Sequence, residues 1–150
     1  MKQIFLTYIL LIFFTFLGSA QKKINLKEYF LDAEYFFAQE EYVDALENYM
    51  VLYQRGFKNN ANINYRIGIC YLHISGQKHK AIPYLEMAIT NIKNNNIDSK
   101  YKEEKAPMDA YLYLGIAYRI NNMMDKAIKS FKNYKKMISP NDLITLKFID

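Results

Sequence analysis

One short pattern recurs in this 150-residue chain and constrains its fold more than any other property. Tyr65-Arg66-Ile67-Gly68-Ile69-Cys70-Tyr71 and Leu112-Tyr113-Leu114-Gly115-Ile116-Ala117-Tyr118 share the order apolar-Gly-x-x-Tyr. Each is followed by an Ala and, four residues on, by a large apolar side chain: Ala81 with Leu85, then Ala127 with Phe131. An earlier copy starts at Ala33-Glu34-Tyr35-Phe36, with Ala33 in the Gly position, and continues to Tyr42, Ala45 and Tyr49. Recurrence of this kind marks stacked supersecondary units, none of which hides its apolar face alone. A small residue and an aromatic three later share one helical face, and an Ala and a large residue four later share a face of the next helix. Each copy is therefore a pair of antiparallel helices, in which small residues let the backbones approach and large side chains fill the space beside them.

The spacing is not uniform. Gly68 and Ala81 are one residue further apart than Gly115 and Ala127, which places an extra residue in the turn Ser75-Gly76-Gln77-Lys78. Pro83 then falls near a helix start, where a missing N–H costs least. The pattern predicts helices over 26–39, 42–54, 61–74, 79–93, 107–120 and 124–137. Ser139-Pro140-Asn141-Asp142 opens a further one with a cap, a first-turn Pro and an acidic residue. Because Leu143, Ile144, Leu146, Phe148 and Ile149 follow without a stop signal, this seventh helix is expected to be partial and the chain to continue past Asp150. An insertion at 94–106, Asn-rich at its start, separates the second and third copies and is expected to be a solvated spacer.

The repeat resembles the tetratricopeptide (TPR) repeat, a helix-turn-helix unit, over about 26–59, 61–94 and 108–141. The resemblance implies an all-α, right-handed TPR solenoid of three helix pairs plus a partial seventh helix, with a concave groove lined by the first helix of each pair. The family's groove positions fall on Lys27, Phe30, Glu34 and Phe37 in the first copy. They fall on Asn62, Tyr65, Ile69 and Leu72 in the second, and on Asp109, Leu112, Ile116 and Arg119 in the third. Members that clamp a peptide's terminal carboxylate use Lys and Asn near the position of Glu34, and that pattern is missing here. The implied ligand is an apolar or aromatic segment of a protein, or the chain's own continuation. Phe30, Tyr65, Ile69, Leu112 and Ile116 are accordingly expected to be partly exposed.

Composition bounds the remaining possibilities. With 51% apolar and 16% aromatic residues, the chain has ample core-forming surface and is not disordered. The single cysteine excludes an intrachain disulfide framework. A net charge of +5 without a clustered basic patch gives no case for nucleic acid. Lys126, Lys129, Lys132, Lys135 and Lys136 spread along the last complete helix as a solvated outer face. His73 and His79 have no metal-ligand spacing, Cys70 lies among apolar neighbours, and Glu40-Glu41 and Glu103-Glu104 sit at helix ends or in loops. No catalytic residue, metal, cofactor or small-molecule substrate is therefore expected, and the chain is read as noncatalytic.

Export is expected from the first twenty residues: Met1-Lys2, a mostly apolar run from Ile4 to Leu17, then Gly18-Ser19-Ala20. The run is too short for a membrane span and Lys22-Lys23 follow at once. The reading is a signal peptide over 1–20 and one domain over 21–150, located in the periplasm or at the outer-membrane periphery. Gly-Ser-Ala before Gln21, the stretch Tyr35 to Leu46 and the segment Leu143 to Asp150 also resemble the N-terminal TPR region of Bacteroidota envelope proteins. Those proteins continue into a β-propeller and an OmpA-like peptidoglycan-binding domain, and some serve type IX secretion. That resemblance implies a place in an outer-membrane or periplasmic complex; a contrasting reading is the noncatalytic part of an enzyme whose chemistry lies beyond residue 150. Mass spectrometry of the protein from an envelope fraction is expected to find Gln21, free or cyclised, as the first residue, and an intact Met1 would exclude cleavage.

Overall fold

The computed structural model describes residues 24–93 and 100–138. The expected signal peptide, residues 94–99 of the insertion and the expected seventh helix lie outside the described residues. What is described is mostly helical. The helices are α1 (Leu26–Ala38), α2 (Tyr42–Leu52), α3 (Ala61–His73), α4 (Ala81–Ala88), α5 (Asp109–Ile120) and α6 (Met124–Lys135). A π-type turn over Tyr53–Phe57 extends α2, and a short 3-10 turn over Lys78–Lys80 precedes α4. The sheet is small: β1 (Ile92–Lys93) runs parallel to β2 (Ala106–Pro107), with Ile92 opposite Ala106.

The helices pack as α1 on α2, α3 on α4 and α5 on α6, and the pairs join through α2 on α3 and α4 on α5. Small residues decide the approach within pairs. A Cβ placed on Gly68 would lie 2.5 Å from Cγ of Leu85, and one on Gly115 would collide with the Phe131 ring. Ala33 and Ala45 are fully buried at the corresponding places in the first pair. The turns inside the pairs also follow one plan, each using a residue with positive φ: Glu40 at 63°, Gly76 at 73° and Asn122 at 58°. Glycine and asparagine tolerate that conformation, whereas at Glu40 it costs roughly 1 kcal/mol. The extra residue of the second turn is absorbed by the 3-10 turn, so α4 starts at Ala81, two residues later than expected.

The helix α4 also ends early, at Ala88. Thr90 Oγ1 donates to the Met87 carbonyl, 2.7 Å away, and its N–H bonds the same oxygen. This local alternative competes with helix continuation in the run Ile89-Thr90-Asn91-Ile92, where β-branched residues gain little from it. The chain turns instead into β1. At the other side of the insertion, Pro107 belongs to β2, and α5 begins at Asp109.

Two apolar clusters form the core, and α3 supplies both. Its Ile63, Ile67 and Cys70 join Phe30, Ala33, Tyr49 and Leu52, while Tyr65, Ile69 and Leu72 join Leu85, Leu114 and Phe131. Held on both sides, α3 is buried along almost its whole length. Its start is fixed by Asn60, whose Oδ1 accepts from the Ile63 N–H at 2.8 Å, a cap of the kind worth about 1 kcal/mol.

Replacing Gly68 or Gly115 by Leu is expected to overpack its pair and lower stability by about 1–3 kcal/mol, read as a lower urea midpoint. The smaller Gly68→Ala change should be rescued in part by Leu85→Ala, because both act on one contact.

Candidate functional site

The residues carried over as groove positions separate into three environments. Phe30 is 1% exposed, Tyr65 1%, Ile69 4%, and Asn62 and Leu72 are also buried. The expected partial exposure of Phe30, Tyr65 and Ile69 is therefore not met, and the cause is tertiary. Tyr65 and Ile69 face the next pair: they share a cluster with Ala110 and Leu114, and the Tyr113 ring lies edge-on to Tyr65 at 5.9 Å. The same positions one copy later, Leu112 and Ile116, have no further described pair beyond them and stay half-exposed. Lys27 and Arg119 are exposed, and Asp109 is half-buried and accepts a 2.8 Å hydrogen bond from the Tyr134 hydroxyl.

Phe30 is covered by the insertion. The Tyr101 ring packs edge-on against Phe30 at 5.7 Å and lies 5.8 Å from Phe57. Several bonds hold this segment in place. The Glu104 carbonyl accepts from the Asn62 N–H and the Glu103 carbonyl from Asn60 Nδ2, while the Ala106 N–H donates to the Asn91 carbonyl. Lys93 Nζ pairs with Glu103 at 2.8 Å, and that bond, seconded by the Lys105 N–H, holds the Glu103 carboxyl below the usual carboxylate range. A polar cavity of about 430 Å³ remains between the Gly56–Asn60 loop and this strap, with Lys102 and Glu104 on its wall. The described part of the insertion, expected to be a solvated spacer, thus spans three helices along one edge. The lone Tyr101 in the charged run Lys100-Tyr101-Lys102 is the sequence signal that marks it.

Glu34 and Phe37 belong to a polar cluster between helices. Arg66 Nη2 pairs with Glu34 at 2.8 Å, the Tyr49 hydroxyl donates to the other Glu34 oxygen, and the guanidinium lies 4.8 Å from the Phe37 ring centre. Only 5% of the Arg66 side chain and 16% of the Glu34 side chain are exposed. Burial holds the Tyr49 hydroxyl far above its ordinary pKa, so it remains a donor. The Arg66 Nε is buried without a protein partner, as is Asn62 Nδ2. Cys70 lies beside this cluster, and burial pushes its thiol up to about 12, which keeps it protonated and a poor nucleophile at neutral pH. A single Arg inside an otherwise apolar helix is the signal for the cluster, but nothing local in the sequence points to Glu34 as its partner.

Among the described residues, the exposed large apolar side chains lie in or beside the first pair, Ile24 and Val43 among them, and in the last described pair. On α1 these are Leu31 and Tyr35, 54% and 62% exposed; at the last pair they are Ile120, Met124 and Ile128, at 44%, 55% and 51%. Among the described residues no group of three or more His, Cys, Asp or Glu stands together as metal ligands, and no helix is long and apolar enough to cross a membrane. The sequence matches no protein-family model, and a search of curated proteins finds no match.

Glu34→Ala would leave the Arg66 charge buried without its counter-ion and is expected to cost about 3–5 kcal/mol in urea unfolding. The combination Glu34→Leu, Arg66→Met and Tyr49→Phe, which removes the whole cluster, should cost much less than the sum of its parts.

Proposed function

We propose that the chain is a noncatalytic protein-protein interaction scaffold of the bacterial cell envelope, built as a tetratricopeptide-type solenoid. The observation that carries this reading is the pairwise, repeated packing of helices around small residues, with apolar side chains half-exposed on α5, the first helix of the last described pair. Such an array holds a surface in fixed shape, and rigid presentation of apolar anchors lowers the ordering cost of capturing a partner. The partner surface is narrower than the carried-over groove: it centres on Leu112 and Ile116, with Arg119 beside them. Tyr65 and Ile69 belong to the cluster on which Leu112 and Ile116 pack and support that surface from within, whereas Phe30 lies under Tyr101 in the other cluster. The ligand that fits is an apolar helix or extended segment of a protein. Placement in the envelope rests on the N-terminal segment and on the resemblance to Bacteroidota envelope proteins with a later OmpA-like domain.

Capture from envelope extract tests the reading. Leu112→Asp and Ile116→Asp should each reduce recovery of a specific partner by tenfold or more, on the order of 1.4 kcal/mol, while the circular-dichroism melting curve changes little. Lys27→Glu, at the far end of the array, should leave capture intact. Normal capture by both α5 variants would show that the partner surface lies elsewhere.

A further inference from the structure

The two ends of the array are complementary to each other. The contact between successive pairs is displayed where α2 packs on α3. There Tyr42 stacks on His73 at 4.1 Å, and Leu46, Met50 and Tyr53 cover the cluster containing Ile63, Ile67 and Cys70. The helices run in opposite directions, with the start of α2 against the end of α3.

Aligning Ala127 with Ala45 places Met124, Ile128, Lys132 and Lys135 of α6 at the positions of Tyr42, Leu46, Met50 and Tyr53. All of them are exposed, whereas their counterparts in α2 are half-buried under the next pair. Aligning Ala33 with Gly68 places Glu28, Asp32, Tyr35 and Ala38 of α1 at the positions of Ile63, Ile67, Cys70 and His73. These too are exposed, whereas Ile63, Ile67 and Cys70 are buried under α2. Superposing the α2–α3 contact on these faces sets Met124 and Ile128 of one copy against Ala38 and Tyr35 of another. Because the two helices run in opposite directions, the same operation brings the end of α6, with Lys132 and Lys135, toward the start of α1, with Glu28 and Asp32. Apolar residues meet apolar ones, and cations meet carboxylates.

Charge along the array supports the same match. The first pair exposes Glu28, Asp32, Asp44 and Glu47, and the last exposes Lys126, Lys129, Lys132 and Lys136. Opposite charge on opposite ends steers copies head to tail and disfavours like ends meeting.

We propose that copies of this chain stack head to tail, α6 of one docking on α1 of the next, so that the repeat continues across molecules. The contact joins two different surfaces, so each copy keeps one open end and the product is a ring or a growing filament, unlike a symmetric dimer. A contact between two helices is small, and association is reversible at concentrations on the order of micromolar or above.

Sedimentation velocity on the full chain, as purified from the cells that make it, reads the outcome. The weight-average mass is expected to rise with concentration past two copies and to fall back in high salt. Ile128→Asp and Tyr35→Asp each block one end and should weaken association at least tenfold, with melting temperatures unchanged because both residues are exposed. An equimolar mixture of the two variants should give a dimer and nothing larger, since each supplies the end that the other lacks. Lys132→Glu and Asp32→Lys should each weaken association severalfold, and the chain carrying both should recover it. A wild-type chain that stays monomeric, or that stops at two copies, overturns the proposal. So does a variant mixture that fails to pair, or association unaffected by Ile128→Asp. If Ile128→Asp instead lowers the melting temperature, α6 is covered within its own chain, and the proposal is overturned in that case as well.

Discussion

Close approach of helices inside each pair governs everything larger in this molecule. Gly68 lies against Leu85 and Gly115 against Phe131 at distances that leave no room for a Cβ. A larger residue at either place would push the second helix outward and with it the surface that meets the next pair. Fully buried Ala33 and Ala45 let α1 and α2 approach in the same way in the first pair. Because a pair hides only part of its apolar surface, the way it is packed sets how its neighbour can dock, and the array follows from the repetition of one contact.

Against that apolar regularity, the Glu34–Arg66–Tyr49 cluster is an exception. Taking two charges out of water costs several kcal/mol per ion, and their attraction offsets this only where geometry is good and the remaining polar atoms are bonded. Here the carboxylate has partners on both oxygens, yet Arg66 Nε has none in the protein. Such a cluster adds little to net stability, but it penalises any docking of the first pair on α3 that fails to bring Glu34 to Arg66. The described part of the insertion acts in the same direction by apolar means. Tyr101 reaches back to Phe30 and Phe57, linking residues far apart in the chain along one edge of the array.

Position in the array decides which equivalent residues are exposed. Tyr65 and Leu112 occupy the same place in successive copies, as do Ile69 and Ile116, yet the first of each pair is buried and the second half-exposed. Residue type does not explain this, since all four are large and apolar. What differs is the neighbour: α3 has a pair on each side, while α5 belongs to the last described pair. Among the described residues, exposure at these positions therefore changes with the neighbouring pair and is not distributed evenly along the array.

By itself the sequence determined the helices and their pairing. Apolar periodicity located all six described helices, with starts at Leu26, Tyr42, Ala61 and Met124 read directly, and the Gly and Ala positions showed which faces meet. Those are local properties, set by side chains three or four residues apart. Only the tertiary structure decided the strap through Tyr101, the pairing of Glu34 with Arg66 and the burial of Phe30, Tyr65 and Ile69. These depend on residues about thirty or more positions apart. Exposure in a stacked array is a property of the neighbour and not of the residue, so a groove read one helix at a time includes positions that the next pair, or the strap, already covers.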